Sequence, residues 1–223
     1  MKEKNVNPSR VSFERQTYHL VGISPLLGSQ PANPEIHAAY VASKAPTPEK
    51  GKEETDMLPE MPLSEKGATV FTRYPDGSLC LSQHVIKGFL KEALTVLRSQ
   101  TDITYPRAKV DDLVFISPMY LRLYRGDEMI KEPDARCERP LRAETMQGPR
   151  VGLATSEQID EGWELTFTVT LVEQMPGAKS KGAQLSWEHI EMALDYGALK
   201  GLGQWRNGGH GSFVWNKVGD VFK

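Results

Sequence analysis

Chemistry in this chain concentrates in one stretch, Gly201-Leu202-Gly203-Gln204-Trp205-Arg206-Asn207-Gly208-Gly209-His210-Gly211-Ser212-Phe213. Five of its thirteen residues are glycine. Glycine admits backbone conformations that other residues avoid and lets a second backbone come close. Exposed amides in such a loop can form a nest for an anion such as phosphate. Trp205 and His210 offer flat rings, and Arg206 offers a fork of donors. Gly203, Trp205, Arg206, Gly208, Gly209, His210 and Gly211 are therefore the first candidate binding residues. The plain alternative is a tight helix-to-strand connection, capped by glycine, with Trp205 in the core.

A second candidate set is Arg139, Arg142 and Arg150. They make a phosphate-binding patch only if all three face one side and the interspersed acids face the other. An ion-paired surface ribbon accounts for the same residues. The five histidines, His19, His37, His84, His189 and His210, are scattered. A metal-independent ribonuclease needs a base near a 2′-hydroxyl and a group to stabilise the phosphorane. His19, His37 and His84 are the places to look, but none sits in a distinctive motif.

Other chemistries find no motif. There is no phosphate-binding P-loop, and Gly201-Leu202-Gly203 follows a helical stretch where a dinucleotide fingerprint follows a strand. Cys-x-x-Cys, His-Glu-x-x-His and Gly-x-Ser-x-Gly are absent. Neither a cofactor nor a metal is expected.

The elements that must hold the loop follow from periodicity. Residues 16–23 alternate as a strand, after a loose polar arm over 1–15. Asp76-Gly77 between the β-type runs 69–73 and 78–81 predicts a hairpin. Ser82 caps a helix to about residue 99, with Val85, Ile86, Phe89, Leu90, Ala93, Leu94 and Leu97 as its apolar stripe. Its charged members, Lys87, Lys91, Glu92 and Arg98, read as a solvated face. Residues 109–150 read as strands and turns. Trp163, Leu165, Phe167, Val169 and Leu171 alternate over the clearest strand. Ser186 caps a last helix over 187–199, which Gly201 stops, and 213–215 is the final strand. Helices on one face of an antiparallel sheet make an α+β fold, with a βαββαβ core in one elaborated domain spanning 1–223.

Residues 28–67 stand apart. Prolines at 31, 34, 46, 48, 59 and 62 flank a charged run, a composition too polar for a core of its own. A short helix over 34–43 is the one element read there. Long insertions of this kind are functional or disordered.

Bulk properties narrow the partners. The 223 residues are 39% hydrophobic, enough for a real core, and carry a net charge of -2. No whole-protein field attracts polyanions, so any nucleic-acid footprint must be local. Cys80 and Cys137 read as two buried free thiols in a reducing compartment. The polar start and the absence of an apolar run of roughly 20 residues point to a cytoplasmic protein that does not cross a membrane.

Two of these stretches together resemble a known family. The loop 201–213 is similar to the glycine-rich loop between the last helix and last strand of the RAMP superfamily of CRISPR proteins. Tyr18-His19-Leu20-Val21-Gly22-Ile23-Ser24-Pro25-Leu26-Leu27-Gly28 resembles that family's first strand running into a Pro-Leu-Leu step. Phage- and prophage-encoded relatives with a Gly-x-Gly-x-Trp-Arg loop look most alike. The resemblance covers about half the chain. It implies a ferredoxin-like or RRM-like fold and an insertion acting as a thumb on a neighbouring subunit or strand. It also implies binding of single-stranded RNA or DNA in an assembly of like or sister subunits.

Three functions stay open. The first is non-catalytic single-strand binding, RNA preferred, with aromatic faces beside cations. The second is a phage protein–protein module for assembly or anti-defence, which the near-neutral charge suits. The third is a metal-independent endoribonuclease.

Overall fold

Trp163, Leu165, Phe167, Val169 and Leu171 alternate with polar neighbours. An extended backbone puts all five on one face, and all five are buried. A computed structural model describes residues 12–32, 68–145, 148–172 and 184–218. Its strands are β1 (Phe13–Gly22), β2 (Leu26–Leu27), β3 (Gln30–Pro31), β4 (Ala68–Val70), β5 (Thr72–Arg73), β6 (Leu79–Ser82), β7 (Val114–Ser117), β8 (Tyr120–Arg122), β9 (Tyr124–Arg125), β10 (Glu128–Met129), β11 (Ala135–Thr145), β12 (Gly148–Ile159), β13 (Glu164–Val172) and β14 (Phe213–Lys217). Its helices are α1 (Gln83–Val96), α2 (Pro106–Leu113), α3 (Trp187–Asp195) and α4 (Gly197–Lys200).

The main sheet is antiparallel and has β1 at its heart. β13 lies on one side of β1 and β14 on the other, and β7 pairs with β13. Helices α1 and α2 connect β1 to β7, and α3 and α4 connect β13 to β14. The order β7-β13-β1-β14 is the ferredoxin-like βαββαβ arrangement, the α+β class read from the sequence. Tyr18 and Leu20 of β1 pair with Phe167 and Leu165 of β13. These four join Ile86, Phe89, Leu90, Ala93 and Leu94 of α1 and Ile190, Ala193 and Leu194 of α3 in one core. A second sheet, β11-β12-β4-β3 with β2 also on β12, and a small one, β5-β6-β8, flank it.

Several expectations need correction. β1 begins at Phe13, inside the stretch read as a loose arm, because Phe13 already pairs with Val172. The stretch 109–150, read as strands and turns, begins inside helix α2, which starts earlier, on Pro106, and runs to Leu113. A first-position proline is a helix signal, since its missing amide would have no partner there. The run 69–73 is split: β4 pairs with β3 and β12, and only β5 makes the hairpin with β6. Ser82 precedes α1 but makes no side-chain capping bond. The last helix breaks at Tyr196 into α3 and α4. Cys80 is buried, but Cys137 is half-buried. The expected helix over 34–43 and most of the insertion, 33–67, lie outside the described residues.

Candidate functional site

Loop 201–213 leaves α4 at Gly201 and is folded back on itself. The Leu202 amide donates to the Gly211 carbonyl at 2.8 Å, and Leu202 is fully buried. The loop is seated on the turn that follows β1. The Gly211 amide donates to the Pro25 carbonyl at 2.8 Å, and the Ser212 amide to Ser24 Oγ at 2.8 Å. Gly203 lies against the Leu27 carbonyl, which a Cβ would approach to 2.7 Å. Gly211 has φ 76°, and a Cβ there would lie 2.0 Å from the Leu202 carbonyl oxygen. Both positions therefore require glycine, by close approach and by positive φ. The two stretches that carry the family resemblance thus touch through their backbones.

What the seat displays is an aromatic shelf. The Trp205 and His210 rings stack with centroids 4.8 Å apart and planes 25° apart. Trp205 is 44% exposed, which removes the reading of it as core. Its backbone is left-handed, φ 50° and ψ 38°, a sparsely populated conformation for a bulky residue. Such strain persists only where the surroundings over-determine it, and it clusters at functional sites. Gly208 follows closely, and a Cβ there would come within 2.7 Å of the indole.

The amides of the loop do not form the expected nest. Gly208 donates to the Trp205 carbonyl at 2.8 Å, Gly209 to that of Arg206 at 3.0 Å, and Gly211 to that of Pro25. A short 3-10 turn over Arg206–Gly208 consumes the first two donors. Arg206 is also committed: its Nη2 lies 2.6 Å from Glu92 Oε2. Lys200 Nζ lies 3.1 Å from the other oxygen of Glu92 and donates to Asn207 Oδ1 at 3.0 Å. Partial burial pushes the Glu92 carboxyl up, but the bonds from Lys200 and Arg206 outweigh it and leave its pKa below the ordinary value.

Of the second candidate set, Arg139 reaches the shelf. It is 6% exposed. Its Nη1 donates to Ser156 Oγ at 3.0 Å and its Nη2 to Gln204 Oε1 at 2.8 Å. Its Cζ lies 5.3 Å from the centroid of the Trp205 ring. On the β11–β12 ribbon, position 139 pairs with 154, 142 with 151 and 143 with 150. By strand alternation, position 150 shares the face of 139 and position 142 takes the other. The side chains of Arg142 and Arg150 lie outside the described residues.

The described histidines do not share a site. His19 bridges Thr166 Oγ1 (3.0 Å) and Glu164 Oε2 (3.2 Å) across the sheet. His84 contacts Ser82 Oγ, and His189 contacts Ser186 at the start of α3. His37 lies outside the described residues. Among the described residues, no group of three or more His, Cys, Asp or Glu side chains could hold a metal ion. Among them, too, no helix is long and apolar enough to cross a membrane.

Sequence reasoning missed Glu92, Lys200, Gln204 and Ser156. Glu92 is spaced as a solvated helix position, and its partner lies far along the chain. Gln204 sat inside the motif, but a glutamine between glycine and tryptophan carries no signal of an arginine partner.

No family model matches the sequence, and no curated protein matches it. A solved chain titled "Type IV-B CRISPR Complex" is similar in structure, with a TM-score of 0.46 and 10% sequence identity. The match covers 94% of this chain and 92% of that one.

Proposed function

We propose that this protein binds single-stranded nucleic acid, RNA in preference to DNA, without cleaving it. In this reading it acts in the cytoplasm beside copies of itself or sister subunits, in a CRISPR-type or phage-encoded ribonucleoprotein. One observation carries the reading: Trp205 is exposed, braced by His210 and held in a strained backbone conformation. A surface ring fixed in this way suits base stacking, which tolerates any sequence because every base has a π-face. The resemblance of loop 201–213 to the RAMP loop supports the same reading. Binding is favoured over cleavage because His19, His84 and His189 lie apart and do not share a site. Residues 28–67 are proposed to grip a neighbouring subunit or the strand. Position 150, on the face of 139, would extend the track along the ribbon, and position 142, on the other face, would not.

The test is fluorescence anisotropy with short labelled oligo(U) and oligo(dT) at low salt, on wild type and Trp205→Ala. Binding by wild type, tighter for oligo(U) and weakened in the variant, is expected. Wild type that binds neither oligomer sinks the reading and leaves a protein–protein module in its place. Shortening of the oligomers during incubation would instead revive the endoribonuclease.

A further inference from the structure

We infer that the phosphate next to a base on the Trp205 shelf is received by Arg139, and that Arg206 and Lys200 are not its ligands. The inference rests on the shelf reading above. It follows from the distribution of charge around the loop. Arg206 and Lys200 look like the natural anion ligands, being the cations of the loop and of the helix that enters it. Both end on one carboxylate, Glu92, at 2.6 and 3.1 Å. Glu92 offsets one of their two charges but draws both groups onto itself, and a polyanion would have to break those contacts to use them.

Arg139 is in the opposite state. It is nine-tenths buried, and its hydrogen-bond partners, Ser156 Oγ and Gln204 Oε1, are both neutral. Among the described residues no carboxylate forms an ion pair with it. A desolvated guanidinium without a counter-charge is unfavourable by itself, and an arriving anion relieves it. Its partners also aim it. Ser156 is fully buried and bonded to Thr69 Oγ1 at 2.6 Å. Gln204 directly precedes Trp205, so the arginine's fork and the stacking ring are tied to adjacent residues. His210 Nδ1, on the ring stacked against Trp205, is buried and lacks a hydrogen-bond partner. The site thus holds two unmet electrostatic demands, an uncompensated charge and an orphan nitrogen, on side chains that both touch Trp205. In a protein of net charge -2, one desolvated cation is the local footprint that a phosphate needs, because low dielectric leaves its field little screened.

The experiment is the salt dependence of oligo(U) affinity, with melting curves, for wild type, Arg139→Gln, Arg139→Lys and Arg206→Ala. Removing one cation that neutralises a phosphate of a single strand flattens the slope of log affinity against log salt by about 0.7. Arg139→Gln is expected to flatten the slope by that amount and to weaken binding about tenfold or more at low salt. Arg139→Lys keeps the charge, loses the fork, and is expected to restore the slope. Arg206→Ala is expected to leave the slope unchanged. If Arg139→Gln lowers the melting temperature, affinity is compared below its transition, and the lysine variant carries the comparison. An unchanged slope in Arg139→Gln, a slope that lysine fails to restore, or flattening in Arg206→Ala overturns the inference. Wild type that binds no oligomer overturns the shelf reading itself, so the two failures are told apart.

Discussion

The Gly211 amide donates to the Pro25 carbonyl at 2.8 Å. That bond ties the loop before the last strand to the turn after the first. Gly203 reinforces it by lying against the Leu27 carbonyl. The shelf is therefore built on the junction between β1 and β14, neighbouring strands of the central sheet.

The glycines of the loop should differ sharply in what they tolerate. Gly209 has φ 84° but open space around its would-be Cβ. Gly209→Ala should cost about 1–2 kcal/mol, the penalty of left-handed backbone alone. At Gly211 the same penalty is joined by a clash with the Leu202 carbonyl oxygen at 2.0 Å. Gly211→Ala should lower the melting temperature further and speed hydrogen exchange at the Leu202 amide. Equal effects of the two substitutions would show that the loop is not seated as described.

Trp205→Ala should separate binding from folding. The ring is 44% exposed, so its removal should change thermal stability little. Affinity for a single strand should fall by about 1–3 kcal/mol if a base stacks on it. A large drop in melting temperature with unchanged affinity of the folded fraction would mark the ring as structural.

Glu157 should be the costliest polar residue to remove. It is 6% exposed, accepts from the Phe71 amide at 2.9 Å, and pairs with Arg73 at 2.7 Å. Glu157→Ala leaves a buried amide and an arginine unpaired, and should cost about 3–5 kcal/mol in urea unfolding. Arg73→Ala strands the carboxylate, and the double variant should be less destabilised than the sum of the two.

The start of α3 should be acid-sensitive. His189 Nδ1 accepts from the Ser186 amide at 3.2 Å and lies 2.7 Å from Ser186 Oγ. A proton on Nδ1 would end the first of these bonds. Burial holds the pKa of His189 below the ordinary histidine value, with Glu188 opposing and Lys109 adding to the shift. The unfolded chain then binds the extra proton, so stability rises with pH through this window. The contribution should be complete above the ordinary value of about 6.5 and should be lost as pH falls through the folded value. Glutamine also serves in a capping box. His189→Gln should therefore keep the helix start and flatten the dependence of melting temperature on pH. An unchanged pH profile in that variant would place the titration elsewhere.

Local periodicity was enough to read much of this fold. The alternation from Trp163 to Leu171 needs only the two-residue repeat of a strand. The stripe from Val85 to Leu97 needs only the helical repeat, and Asp76-Gly77 turns by its own backbone preferences. The concentration of glycine around Trp205 was likewise visible as a special loop. What the loop offers a ligand was decided only by tertiary structure. Whether an amide can bind phosphate depends on which carbonyl already faces it. Gly211 meets Pro25, which the sheet brings from the other end of the chain. Whether an arginine is free depends on which acid is near it. Glu92 crosses from α1 to take Arg206, while the ribbon carries Arg139 to Gln204 with no carboxylate paired to it among the described residues. Periodicity records which face of an element is dry. It does not record which polar groups meet when distant elements pack, and that meeting sets the charge of the site.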